Sequence, residues 1–140
     1  MSEQEMSEQD TGDTKVRGIV VGHGDMPRGL VDAVKRIAGE AATGLAAVSN
    51  EGKGPDVLRA AVDAAAGPGP VIVFVDIQSG SCGLAAAYAC RGCVGRAVIA
   101  GVNLPMLLDF VFHRDMEVEA LVARLVDGGR AAIRTVPAPS

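Results

Sequence analysis

The sequence predicts a single α/β domain built on an open, doubly wound and mainly parallel sheet in the order 2-1-3-4, with helices on both faces. Three observations lead there. From residue 15 onward, short β-branched runs alternate with helical patterns; the runs are continuously apolar; and glycine and proline punctuate the short turns between them. Continuous apolar runs mark strands buried on both faces, and strand–helix alternation with short loops gives right-handed crossovers. A chain of 140 residues, 49% of them hydrophobic, is long enough for one such core.

Residues 1–14 repeat Met-Ser-Glu-Gln and include Glu3, Glu5, Glu8, Asp10 and Asp13, so a disordered acidic tail is expected before a domain at 15–136. Strand one spans 16–22. Its helix, 27–38, has Leu30, Val31, Val34 and Ile37 at core spacing, with Pro27 at its start and Gly39 past its end. An Ala-rich strand at 45–48 leads through Ser49-Asn50-Glu51-Gly52-Lys53-Gly54 to a helix at 55–66, which Gly67-Pro68-Gly69-Pro70 ends. Residues 71–75 form strand three, 81–90 helix three and 97–101 strand four, followed by helices at 104–112 and 118–126. Gly128-Gly129 then breaks the chain. Residues 132–136, with Ile133, Thr135 and Val136, predict a fifth strand lying antiparallel at a sheet edge, before a short tail at 137–140.

Composition removes several classes of function. The net charge is −4 and no basic run could follow a phosphate backbone, so nucleic-acid binding is not expected. Aromatics are 3% with no Trp, which leaves no stacking platform for sugars or single strands. No apolar stretch reaches the ~18 residues of a membrane span, and the acidic start does not fit a signal peptide. Three cysteines, Cys82, Cys90 and Cys93, suit a reducing compartment, so a cytoplasmic protein is expected.

In open α/β sheets, ligands bind beyond the carboxyl ends of the strands, where connections diverge to opposite faces. The residues there are Gly22-His23-Gly24-Asp25, then Asp76-Ile77-Gln78-Ser79-Gly80-Ser81, then Gly101-Val102-Asn103. In a 2-1-3-4 order, strands one and three are neighbours, which sets His23 beside Asp76. A carboxylate accepting from one imidazole nitrogen fixes the tautomer and leaves the other nitrogen free as a nucleophile. Helices one and three would point their amino ends at the same place, where anions are favoured. Gly24, Ser79, Gly80 and Ser81 are the candidate phosphate-binding residues, with Ser81 also placed to cap helix three. The chemistry that fits is reversible phosphorylation of His23.

Those residues carry a family resemblance. Gly22-His23-Gly24, Phe74-Val75-Asp76 with Ser79-Gly80-Ser81 behind it, and Gly101-Val102-Asn103-Leu104-Pro105-Met106-Leu107 resemble the mannose-family IIA domain of the bacterial phosphoenolpyruvate-dependent sugar phosphotransferase system. The resemblance implies a phosphotransferase without a cofactor. In it, His23 takes a phosphoryl group from the phosphocarrier HPr and passes it to a IIB domain, with Asp76 as the partner of the histidine. It also implies a homodimer in which the terminal strand is exchanged, the glycine pair serving as hinge, and contact with the membrane only through permease subunits. Ser79 stands where the family has the first glycine of Gly-Gly-Ser, and Cys82 where a proline often follows the serine. Two other readings share the histidine: a regulatory phosphohistidine protein uncoupled from transport, and the phosphoryl donor of a dihydroxyacetone kinase.

Other motifs carry less. Gly22-x-Gly24 lacks the third glycine of a dinucleotide loop, since Gly29 is five residues on. Cys90-x-x-Cys93 has no second cysteine pair or nearby histidine in sequence, so incidental thiols and no metal site are expected. His113 follows a short helix, where a cation is simply favourable. Arg28, in the first turn of helix one, is placed to steer an anionic donor.

Overall fold

The computed structural model describes residues 15–140, so the expected acidic tail lies outside the described residues. Four strands, β1 (Arg17–Gly22), β2 (Leu45–Ser49), β3 (Val71–Val75) and β4 (Arg96–Ala100), pair entirely in parallel in the order β2-β1-β3-β4. Five α-helices join and follow them: α1 (Met26–Ala38), α2 (Pro55–Ala66), α3 (Ser81–Cys90), α4 (Leu104–Val111) and α5 (Val118–Ala131).

Alternation along the strands divides the core into two layers. Val20, Ile72, Phe74 and Ile99 face α1, α4 and α5, where they meet Val31, Val34, Leu107, Phe110, Leu121 and Leu125. Ile19, Val21, Val71, Val73 and Val75 face α2 and α3 and meet Leu58, Val62, Cys82, Ala85 and Ala86. All five residues of β3 are fully buried because both of their faces are covered, as the apolar run predicted. On the first layer, Phe74 and Phe110 pack edge to face at 5.2 Å.

Two expectations are corrected. Ile37 is 61% exposed. The buried stripe of α1 is Pro27, Val31 and Val34, and at about 100° per residue Ile37 lies about 90° away from it. The antiparallel fifth strand is absent among the described residues: α5 continues through Gly128 and Gly129 to Ala131, and the remainder is turn and coil. Glycine costs a helix about 1 kcal/mol, but Gly129 sits where α5 meets α4. A Cβ there would crowd the Met106 thioether, and the Asn103 side-chain amide donates to the Gly129 carbonyl at 3.0 Å. Gly129 therefore serves close helix packing, and the helix runs through both glycines without a break.

The amino ends of the strands are closed by arginines. Arg17, at the start of β1, donates to the carbonyls of Ala66, the last residue of α2, and Pro68 beyond it. Arg96, at the start of β4, donates to Ala89 and Gly67 carbonyls at 2.7 and 3.2 Å and pairs with Asp63 at 2.7 Å. Arg114 is buried, 7% exposed, and donates to the Val16 carbonyl at 2.8 Å and the Thr43 hydroxyl at 3.0 Å. Gly44 has a φ of +76°, and any side chain on it would collide with the Arg114 guanidinium. Cations set on helix carboxyl ends also answer the local partial charge.

Candidate functional site

At the opposite end of the sheet, the β1–β3 pairing of Val21 with Val75 sets the next residues of the two strands side by side. His23 Nδ1 lies 2.6 Å from Asp76 Oδ2. A carboxylate only accepts, so Nδ1 carries the ring proton and Nε2 keeps its lone pair. The imidazole is half exposed, its side chain 47% accessible, whereas that of Asp76 is 19% accessible. Asp76 also accepts from the His23 N–H at 3.0 Å and the Ile77 N–H at 2.9 Å. Burial pushes its carboxyl up, but these bonds outweigh burial and hold it below the ordinary value.

A Cβ at Gly22 would push aside the flexible end of Met26 and press on the Asp76 carboxylate. Gly24 has a φ of +60° and open space around it, so the turn after His23 is left-handed and uncrowded. Two side chains from the end of β2 hold that turn. The Ser49 hydroxyl donates to the Gly24 carbonyl at 2.7 Å, and the Asn50 side chain accepts from the Gly24 N–H at 3.2 Å. Sequence reasoning treated Ser49 and Asn50 as linker. The signal was available, because β2 neighbours β1 in the 2-1-3-4 order and its end had to arrive at the same place.

The other predicted residues are distributed differently. Ser79, Gly80 and Ser81 are exposed in the β3–α3 loop and the start of α3, and none of them hydrogen-bonds to His23 or Asp76 among the described residues. They line a groove of about 990 Å³ with Leu84, Tyr88 and Val98, between α3 and the unpaired edge of β4. The capping position of α3 is occupied by Gly80, with φ of +103°, and no side chain caps the helix there. Asn103 is committed to structure, its side chain capping α4 at Met106 N–H and tethering α5. Arg28 is ion-paired with Asp25 on the surface. His113 is held by Asp109 through its carbonyl at 2.8 Å and its carboxylate at 3.1 Å.

One residue near the histidine entered the sequence reading only as a departure from the family pattern, standing where a proline often follows the serine. Cys82, in the first turn of α3, is fully buried, and its Sγ stands 3.8 Å from His23 Nδ1. Burial, and then the charge of Asp76, push its thiol above the usual range. Gly83 next to it makes the approach possible, since a Cβ there would run into the Gln78 carbonyl.

Fold and site together define an open parallel α/β protein with an imidazole–carboxylate pair at its topological switch point. The chain belongs to the EIIA-man family, described as the PTS system fructose IIA component, whose model matches residues 18–126. Solved structures agree on the fold. The mannose/sorbose specific IIA subunit of the phosphotransferase system from Enterococcus faecalis is 27% identical, with a TM-score of 0.80 over 90% of this chain and 98% of that one. Phosphotransferase system component EIIA from Streptococcus agalactiae is 22% identical, with a TM-score of 0.79 over 86% and 96%. The PTS IIA protein associated with the fucose utilization operon of Streptococcus pneumoniae is 17% identical, with a TM-score of 0.74 over 86% and 93%. No curated protein matches the chain. Among the described residues, no helix is long and apolar enough to cross a membrane.

Proposed function

We propose that the protein is a cytoplasmic phosphoryl carrier of a sugar phosphotransferase system, accepting phosphate from HPr on His23 and handing it to a IIB domain. The observation that carries this reading is the 2.6 Å contact between His23 Nδ1 and Asp76 Oδ2 at the switch point. Membership of a family of IIA components supports it.

In the proposed step, the Nε2 lone pair attacks phosphorus, an Nε2–P bond forms, and the bond from phosphorus to the donor breaks. The ring becomes cationic while Nδ1–H remains on Asp76, so a carboxylate already in place offsets the charge as it develops. Return of the phosphoryl group to the next acceptor runs the same path backwards. Around the phosphate, the donors we propose are the N–H groups at the start of α3, with Ser79, Gly80 and Ser81, joined by the Gly24 N–H once it leaves Asn50. No metal or cofactor enters this scheme.

The working unit we propose is a homodimer. Family resemblance supports it, and so does the edge of β4, which among the described residues has a neighbour only on its β3 side, while Ile133 and Val136 are 78% and 80% exposed. Any exchanged segment begins after Ala131, where α5 ends. Light scattering should report twice the monomer mass, and a chain ending at residue 131 should lose that mass; a full-length monomer would exclude the exchange.

The test of the function is incubation with phosphoenolpyruvate, enzyme I and HPr, followed by intact mass. One acid-labile phosphate is expected. A His23→Ala chain that gains the same phosphate would refute the assignment.

A further inference from the structure

The sequence reading expects no metal, and it looks for thiols at Cys90 and Cys93. The thiol that matters lies elsewhere. Cys82 is 59 residues from His23 in sequence, yet one nitrogen, one oxygen and one sulfur ligand atom from His23, Asp76 and Cys82 lie within 4.8 Å of one another. We propose that His23, Asp76 and Cys82 form a site for a thiophilic divalent cation, with zinc the ion that fits, and that metal binding and phosphorylation of His23 exclude one another.

The donor set and its spacing support a metal of this kind. Imidazole, carboxylate and thiolate together suit zinc, whereas magnesium and calcium take oxygen ligands. Zinc–ligand bonds of about 2.0–2.3 Å on a tetrahedron put neighbouring ligand atoms roughly 3.3–3.6 Å apart. The Cys82 Sγ to His23 Nδ1 separation of 3.8 Å is close to that already. The Nδ1 to Oδ2 separation of 2.6 Å has to open by roughly 0.7–1 Å to reach the same spacing, about what replacing a shared proton by a metal ion requires. Asp76 is oriented from behind by the Ile77 N–H, a support of the sort that metal-bound carboxylates need. His23 is half exposed, so the fourth position opens to solvent and takes a water molecule. Cys82 itself is fully buried in the second core layer, and phosphoryl transfer by the neighbouring imidazole makes no use of it.

Binding balances as one zinc ion in and one proton out. The Cys82 S–H bond breaks, the S–Zn bond forms, and the thiol proton leaves to solvent. On the ring, the metal needs the Nδ1 lone pair, so the ring proton moves from Nδ1 to Nε2 through water. Nε2 then has no lone pair for phosphorus. In the reverse sense, a phosphoryl group on Nε2 keeps the proton on Nδ1, hydrogen-bonded to Asp76, and closes the metal site. Exclusion thus arises from the single proton of one imidazole. This second half rests on the proposed phosphocarrier function, while the metal site does not.

The metal-free full-length protein should bind one equivalent of cobalt(II), a spectroscopic substitute for zinc, with a thiolate-to-cobalt charge-transfer band. Cys82→Ser should lose the band and weaken zinc binding at least about 100-fold, because a direct ligand matters more than the outer groups whose loss costs 10- to 100-fold. A Cys90→Ser, Cys93→Ser double variant should keep both. A band that survives in Cys82→Ser, or that disappears only in the double variant, overturns the site. Cys82→Ala serves as a second variant, and circular dichroism confirms that each is folded. For the exclusion, isolated phospho-HPr serves as donor, which leaves enzyme I out of the mixture. The rate is read with and without one equivalent of zinc within each protein. Zinc should suppress wild-type phosphorylation at least tenfold and leave the Cys82→Ser ratio near one; equal ratios overturn the exclusion. If no chain accepts phosphate even without zinc, the phosphocarrier reading has failed, and the cobalt titration still decides the metal site.

Discussion

The two ends of the sheet use charged and polar residues in opposite ways. At the amino ends of the strands, Arg17, Arg96 and Arg114 close on helix carboxyl ends, strand carbonyls and one carboxylate, and Arg114 is buried in doing so. At the carboxyl ends, glycines keep side chains away and a half-exposed imidazole rests on a carboxylate with one nitrogen unused. The first end spends its hydrogen-bonding capacity on holding the fold; the second keeps some in reserve. Substitutions at the two ends should therefore separate stability from chemistry.

The largest expected effect is at the open end. His23→Ala should abolish acid-labile phosphorylation from HPr while moving unfolding stability by no more than about 1 kcal/mol, as for exposed positions generally. Intact mass and a denaturant titration read the two quantities. Asp76→Asn should slow phosphoryl transfer about 10- to 100-fold in both directions, since an amide neither offsets the cationic ring nor holds its tautomer as a carboxylate does. Unchanged rates in quench-flow would make Asp76 a purely structural residue.

Arg114→Met sharpens the comparison from the other end. It leaves the Val16 carbonyl and the Thr43 hydroxyl without this donor, and we expect a loss of about 1–3 kcal/mol of stability with an unchanged phosphorylation rate per folded molecule. Asn50→Ala removes one hydrogen bond to the Gly24 turn and should reduce the rate about fivefold, the equivalent of about 1 kcal/mol, with little change in the unfolding midpoint. The smallest effect concerns acid. The folded-state pKa of Asp76 is depressed, so between that value and the unfolded value of about 3.9 the unfolded chain holds more protons and stability rises with pH. The stabilisation is present above about pH 4 and is lost as pH falls through the folded value. Wild type should accordingly lose stability more steeply below pH 4 than Asp76→Asn, as melting curves across that range would show.

Much of the fold was legible because its strands are continuous apolar runs with clear punctuation. Residues 71–75 could hardly be anything other than a central strand, and the order 2-1-3-4 then brought His23 to Asp76 without any further information. The chain end was misread because a glycine pair has two physical meanings. Gly128 and Gly129 look like a break in sequence, and only the approach of Met106 and Asn103 to Gly129 reveals close helix packing there instead. Cys82 was hidden for a related reason. Its helix shows a small apolar face typical of core, and nothing in the spacing tells that its first turn points sulfur at an imidazole in the turn after β1. Arg114 was equally invisible, since its burial depends on a carbonyl 98 residues away and a hydroxyl 71 residues away.

The central claim is that Asp76 holds the proton on Nδ1 so that Nε2 takes the phosphoryl group. Long-range proton–nitrogen correlation on the uniformly nitrogen-15-labelled protein, before and after phosphorylation by HPr, tests it directly. The account predicts an Nδ1–H tautomer of His23 at rest and phosphorus coupled to Nε2 afterwards. Phosphorus on Nδ1, or on any residue other than His23, would contradict it.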